Sequence, residues 1–393
     1  MAMCRAKRLH RQTPVYRITK LKDKDILEKT KKIKVLHTEW SDGWGGQEIR
    51  IINEMLSVRE RGIEVYLACR DHAKIKERAI KHGIKVYSLP FRGNADLKTL
   101  FGLIKIIKDE KIDIVNTHSG KDTWVGGFAA KIAGAKFIRT RHLSNKINPS
   151  RLNFINEMAD FIITTGKGVR EDMIRFNRIK PERIASIPTG IDESIFDPDK
   201  FDKEKNREFF GIKKDQIAIG ILAVLRGFKR HDLFLEMAKE ISKKYPQTVF
   251  LIAGDGPRRD SIKKMVKEMG LEERVKMLGH VNEPAKFLSA LDIFTLTSDS
   301  NEGVPQSVMQ ALMMKLPVIA TDVGSTKDLW HNDNFMLIEP KNMKSLVQNV
   351  EKLIQNPRQR ENYAKNARDF VVKNFSKKVM TDKIIDIYQN LLN

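Results

Sequence analysis

Two turns in this chain carry the residue types that bind and break phosphate esters. The first holds Gly43, Gly45 and Gly46 between an apolar run at 33–38 and a helix-period segment at 47–60. Glycines let a backbone approach a ligand closely, and the N–H groups and dipole of the helix that follows favour an anion such as a phosphate. The spacing is neither the three-glycine dinucleotide fingerprint nor a P-loop, which ends in Gly-Lys-Ser/Thr, and a plain tight turn accounts for it equally well. The second turn, 298–306, follows an apolar run at 293–297. Gly303 and Pro305 fit the entry to a helix at 304–314, where the N–H that proline lacks has no partner to lose. Glu302 stands just outside that N-terminus, where the dipole stabilises a carboxylate, and Gln310 follows about two turns later. Capping alone would explain Glu302. Two helix N-termini aimed across one cleft make a site for a diphosphate.

Other reactive types are sparse. Cys4 and Cys69 are the only cysteines, too few for a disulfide framework or a cysteine-rich metal site, and there is no clustered Asp-x-Asp or His-rich metal signature. His37 ends the first apolar run and reads as a satisfied structural residue rather than a cleft residue. His142 lies in a loop with Arg139, Arg141, Lys146 and Arg151 around it, which could meet an anionic acceptor or could be a solvated basic loop.

The elements that would position these turns alternate. Strand-like runs at 33–38, 64–68, 85–88, 112–118, 136–140, 161–165 and 183–187 are separated by helix-period segments such as 47–60, 97–108 and 123–132. The pattern breaks at Pro188-Thr189-Gly190 and a charged connector at 197–205. It restarts with strands at 217–224, 248–252, 275–278, 293–297, 318–320 and 336–338, and helices at 232–243, 261–269 and 304–314. Three helix-like segments close the chain, the last at 378–392. Strand and helix in alternation mean a parallel sheet covered on both faces. The expectation is α/β, with two facing Rossmann-like, doubly wound domains. Residues 1–32 form a basic, mobile arm, 33–190 the first domain, 191–375 the second, and 376–393 a helix packing back towards the first.

The chain has 393 residues and a formal net charge of +22, with ordinary apolar content that excludes disorder over most of its length. Residues 1–190 hold 39 basic and 21 acidic side chains, and residues 191–393 hold 33 and 29. The first half therefore faces a polyanion, or the chain simply carries lysine-rich surfaces. Low aromatic content and the lack of a known nucleic-acid module argue against nucleic acid as that partner. The longest apolar run, 217–225, is far short of a membrane span. No apolar h-region follows the charged start. The expected location is the cytoplasm.

Taken in order, a series of segments resembles the family 4 retaining glycosyltransferases, whose fold is of the GT-B type. The series is Gly45-Gly46-Gln47-Glu48; Asp113-Ile114-Val115-Asn116-Thr117-His118; Ala159-Asp160-Phe161-Ile162-Ile163; Ile187-Pro188-Thr189-Gly190-Ile191-Asp192 with Phe196; Leu251-Ile252-Ala253-Gly254-Asp255-Gly256-Pro257; and Glu302-Gly303-Val304-Pro305 followed by Lys315-Leu316-Pro317-Val318-Ile319-Ala320-Thr321. The resemblance implies transfer of a sugar, with retention, from a UDP-, GDP- or ADP-sugar held mainly by the second domain to an acceptor held mainly by the first. It implies neither a metal nor a tightly bound cofactor.

By position, the resemblance makes Glu302 the residue that contacts donor-sugar hydroxyls, His118 a histidine near the donor sugar, and Lys229 the cation that neutralises the leaving diphosphate. Gly303, Val304 and Pro305 match the donor-binding turn, Gly45 and Gly46 the loop beside the donor phosphates, and Gly254 and Arg226 further donor-side positions. Three departures stand out. Gln310 replaces the second glutamate of the paired-glutamate motif, losing a charge-assisted bond to ribose. Thr189 replaces an asparagine, and Arg226 lies only three residues before Lys229. The leading expectation is a cytoplasmic enzyme, peripheral on an anionic membrane surface, that extends a lipid-linked or cell-envelope glycan of the lipopolysaccharide or exopolysaccharide kind. Another GT-B enzyme, a glycan phosphorylase or a sugar-nucleotide epimerase, is the alternative, followed by a non-catalytic nucleotide-sugar or polyanion-binding protein.

Overall fold

The computed structural model describes residues 32–142, 147, 154–331 and 334–393. The expected arm, Lys146 and Arg151 lie outside the described residues, apart from Lys32. Seven parallel strands form a first sheet: β1 (Lys34–Glu39), β2 (Glu64–Cys69), β3 (Lys85–Ser88), β4 (Ile114–Thr117), β5 (Lys136–Arg141), β6 (Phe161–Thr164) and β7 (Ile184–Ser186), in the order β3-β2-β1-β4-β5-β6-β7. Six more form a second: β8 (Ile217–Leu222), β9 (Thr248–Ala253), β10 (Val275–Gly279), β11 (Ile293–Leu296), β12 (Val318–Thr321) and β13 (Met336–Ile338), in the order β10-β9-β8-β11-β12-β13. These are two Rossmann-like domains of a GT-B fold, with a cleft between them.

Each sheet is covered on both faces, which is why its strands read as apolar runs. Alternate residues of one strand enter different cores: Val35 packs with Ile51, Ile114 and Ile138, while its neighbour Leu36 packs with Leu103, Val115 and Phe137. The second sheet repeats this, with Ala218 on one side and Ile219 on the other. The chain crosses between domains twice, and the crossings lie side by side. Ile191 N donates to the Phe375 carbonyl at 2.9 Å, and Lys377 N to the Ile191 carbonyl at 2.8 Å. Helix Lys377–Leu392 then sets Met380, Ile384, Ile387 and Tyr388 into the same core as Val35.

Several local expectations change. The 197–205 connector contains the 3-10 turn Pro198–Lys200 and runs into helix Lys203–Phe209, which starts where the Asp202 carboxylate accepts from Lys205 N at 3.1 Å. Helices Lys74–Lys81, Lys167–Asn177 and Pro284–Ser289 were hidden by their charge and brevity, the first two burying only two residues each. Helix Gln306–Met313 begins two residues later than its pattern, because Pro305 (φ −70°, ψ 117°) is extended and caps it. β5 runs one residue beyond its pattern, so that Arg141 as well as Arg139 belongs to the strand rather than to the loop after it.

Candidate active site

In both sheets the strand order reverses between the first strand of the domain and a later neighbour, β1 beside β4 and β8 beside β11. Ligands of doubly wound sheets bind outside the carboxyl ends of the strands at such points. Gly45 and Gly46 follow β1, His118 follows β4, Lys229 lies in the turn after β8, and Glu302 lies in the turn after β11. The two helix N-termini also meet. Gln306, the first residue of its helix, donates from Nε2 to the carbonyl of Gly46, the first residue of the other helix, at 3.0 Å.

On the second domain the charges are paired. Lys229 Nζ lies 2.5 Å from Glu302 Oε1, and the Ser298 hydroxyl donates to the same oxygen. Thr297, directly after β11, fixes the lysine turn by donating to the carbonyls of Lys229 and Arg230, each at 3.0 Å. Arg230 binds Asp232 at 2.8 Å and Asp299 at 3.3 Å. Two glycines let the chain close around these groups. A Cβ at Gly324 (φ 60°) would collide with the Glu302 carbonyl, and one at Gly254 (φ 141°) with the Ala223 carbonyl. Arg226 is exposed at the start of the lysine turn, without an ion pair among the described residues. Val304 and Pro305 are buried, and Gln310 is half-buried on its helix.

The Glu302–Gly303 turn abuts the first domain. A Cβ at Gly303 would lie 3.0 Å from Thr165 Oγ1 and 3.6 Å from the His142 carbonyl, the two atoms themselves joined by a 3.2 Å hydrogen bond. Behind that contact runs a row of imidazoles. His37 Nδ1 bonds His118 Nε2 at 2.9 Å, and His118 Nδ1 bonds His142 Nε2 at 3.0 Å. Burial pushes His37 down to about 3. Burial, its two histidine neighbours and Arg50 hold His118 well below the ordinary value, and burial with Arg50 does the same to His142. These rings are neutral.

Sequence reasoning missed the polar groups that support this row. Arg50 and Glu54, one helical turn apart on Gly46–Arg59, form a fully buried pair 3.6 Å apart. Glu54 Oε1 accepts from Asn116 Nδ2 at 3.1 Å and from the Tyr388 hydroxyl at 3.2 Å. Asp122 accepts from Thr38 Oγ1 at 2.6 Å, from His118 N at 2.9 Å and from Ser119 N at 2.7 Å, and burial still raises its pKa. Burial and Asp122 push Glu39 up to about 8. A charged residue inside an apolar helix period, as Arg50 and Glu54 are, was the available signal. Arg139 is half-buried and Arg141 buried; burial lowers both to about 10, and Arg141 adds to the effect on Arg139. Among the described residues no group of His, Cys, Asp and Glu could hold a metal ion, and no helix is long and apolar enough to cross a membrane.

Residues 44–195 match the profile described as Glycosyltransferase Family 4, and residues 202–370 the one described as Glycosyl transferases group 1. The chain belongs to the GT-B glycosyltransferases. This glycosyltransferase is 26% identical, over 92% of its length and 98% of the other's, to the UDP-Gal:alpha-D-GlcNAc-diphosphoundecaprenol alpha-1,3-galactosyltransferase of Escherichia coli. Its fold matches that of a glycosyltransferase from Rickettsia africae with a TM-score of 0.84 at 20% identity, over 93% of this chain and all of the other. Anabaena HepE, crystallised with UDP and glucose, matches with a TM-score of 0.79 at 20% identity, over 91% of this chain and all of the other.

Proposed function

We propose that this glycosyltransferase moves a hexosyl residue, with retention, from a UDP-sugar to a hydroxyl of a lipid-linked or cell-envelope glycan. The carrying observation is the seam itself: the Lys229–Glu302 pair and the Gly303 turn stand against Thr165 and His142, beside the Gly46–Gln306 contact. Breaking a sugar–diphosphate bond develops negative charge on the phosphate. Lys229 and the two helix N-termini are fixed positive groups that stabilise that charge as it forms. Glu302 binds the sugar hydroxyls once Lys229 turns to the phosphate. The carboxylate beside it is not a nucleophile's partner: Asp299 is engaged by Arg230. Retaining hydrolases use two carboxylates about 5 Å apart, so we favour same-face displacement assisted by the departing phosphate. A fluorinated donor that left a glycosylated Glu302 would overturn that mechanism.

UDP is favoured by HepE, crystallised with it, and by the Escherichia coli relative, whose name gives UDP-Gal as donor and a diphosphoundecaprenol-linked sugar as acceptor. The excess of positive charge in the first half, and a helix Leu97–Glu110 that exposes Leu97 and Phe101 beside Lys98 and Lys105, support an acceptor carried on an anionic membrane. The test is a thermal-shift comparison of UDP, GDP and ADP, followed by turnover with the matching sugar nucleotides. Stabilisation by UDP alone, with release of UDP from one UDP-sugar, is the expected result. Binding of none of the three diphosphates overturns the donor assignment.

A further inference from the structure

Helix Lys167–Asn177 follows β6 in the first domain and starts without a side-chain cap of its own, because its N-cap residue is Gly166. The first N–H groups of a helix have no partner inside it. Here a partner comes from the other domain. Asp328, in the 3-10 turn Thr326–Leu329 that follows β12, accepts from Lys167 N at 2.7 Å. A carboxylate at that place satisfies the N–H group and complements the helix dipole. The approach leaves no room for a side chain at the N-cap. A Cβ at Gly166 would collide with the Ser325 side chain and lie 3.7 Å from Val304 Cγ2, and one at Gly168 would lie 3.6 Å from Ser325 Oγ and 3.8 Å from the Gly324 carbonyl. The φ of Gly166, −159°, is open to any residue. Close contact, not backbone conformation, therefore calls for glycine there.

Three consecutive residues of the first domain thus meet the second. Thr165 stands against Gly303, Gly166 against Ser325 and Val304, and Lys167 against Asp328. Within the second domain, Gly324 packs directly on the Glu302 carbonyl, and Ser325 beside it is 2% exposed. The turn that carries Asp328 is braced on the turn that carries Glu302. A movement of the domains that drew Asp328 off the helix would also draw Glu302 away from Thr165 and His142. We propose that Asp328 is a positioning residue for the transfer: by capping helix Lys167–Asn177 across the cleft, it fixes the arrangement in which the Glu302 turn stands against the first domain. Gly166 and Ser325 set how close that approach is. The assignment rests on the transferase reading above, and Asp328 acts through the Glu302 turn rather than on the sugar.

The test uses the full chain, with UDP as the ligand probe and the UDP-sugar that the wild type turns over fastest. In hydrogen exchange, the amides that open helix Lys167–Asn177 should be protected with UDP bound, and Asp328→Ala should release them. The same variant should lower kcat about 5- to 30-fold, the range expected for a lost N-cap, with UDP affinity by calorimetry changed less than about two-fold. Asp328→Asn, which keeps an oxygen for Lys167 N, should retain more of the rate. Gly166→Ala pushes the seam apart with Asp328 intact and should also lower kcat. The double variant Gly166→Ala/Ser325→Gly removes the side chain that the new Cβ meets, and should recover most of that loss. Should Asp328→Ala fail to fold, Gly166→Ala and its double variant decide alone. Wild-type kcat in Asp328→Ala or in Gly166→Ala, no recovery in the double variant, or a fall in UDP affinity as large as the fall in kcat overturns the assignment. If the wild type turns over no UDP-sugar, the transferase reading fails instead, and Lys167 amide exchange that is the same in Asp328→Ala as in the wild type would still refute the cap.

Discussion

The two walls of the cleft handle polar groups in opposite ways. On the second domain the groups are charged and paired across turns: Lys229 with Glu302, and Arg230 with Asp232 and Asp299. On the first they are buried under the strand ends, where burial disfavours the charged form, as in the His37–His118–His142 row and the raised carboxyls Glu39 and Asp122. The difference matches the chemistry each wall would meet. A leaving diphosphate needs fixed charge. A wall that orients hydroxyls works better without a second set of mobile ions competing for that diphosphate. Arg141 is a further buried cation on this wall, and the main exception is the Arg50–Glu54 pair, held together in full burial at the cost of desolvation.

That exception gives the largest expected effect. Glu54→Leu strands a buried guanidinium and should cost about 3–5 kcal/mol in chemical denaturation. The double variant Arg50→Met/Glu54→Leu should recover most of the loss, since both charges are then gone. A single variant with near-normal stability would mean that the first wall tolerates an unpaired charge, and the contrast would fail. The second wall is broken through activity. Lys229→Met should lower kcat about 100- to 1,000-fold, the scale of one lost transition-state donor, with the thermal midpoint moved much less than by Glu54→Leu.

The sequence carried the alternation of strands and helices well, because parallel strands covered on both faces read as mostly apolar runs, and central strands such as Thr248–Ala253 and Ile293–Leu296 are buried at every position. It carried the glycine turn at 43–46 and the glutamate turn at 298–306 for the same reason: they sit where strands end. It could not show the histidine row. His37, His118 and His142 are separated by 81 and 24 residues, and only the strand order β1-β4-β5 makes them neighbours. Nor could it show that Arg141 closes β5, since an arginine directly after the run 136–140 reads as the start of a solvated loop. The start of helix Gln306–Met313 was shifted for a local reason: its apolar period extends back through Val304, but Pro305 takes an extended conformation.

A smaller effect tests whether the first wall is neutral because of burial. The Glu39 carboxyl, pushed up to about 8 by burial and by Asp122, keeps its proton in the folded protein while the unfolded chain releases it above about 4.5. Its contribution is therefore whole below that value and is lost as the pH rises towards 8. Glu39→Gln should remove this slope, roughly 1.4 kcal/mol per pH unit at most, so that wild type and variant diverge steadily in denaturation curves taken from pH 5 to pH 8. Parallel curves would show that Glu39 is charged in the folded state and that the contrast between the walls is weaker than burial suggests.

The smallest effect comes from the contact that joins the walls. Gln306 Nε2 donates to the Gly46 carbonyl at 3.0 Å across the cleft, in an exposed position where water can replace either partner. Gln306→Ala should therefore cost about 0.5–1 kcal/mol or less in stability. Both groups belong to the helix starts that would receive the diphosphate, so the loss should be felt more in binding than in folding. A change of a few-fold in UDP affinity by calorimetry, with kcat unchanged, fits a bond that only sets the approach of the two domains. A large fall in kcat instead would make the bond part of the reacting arrangement, and the division into a charged wall and a neutral wall would then need a third element bridging them.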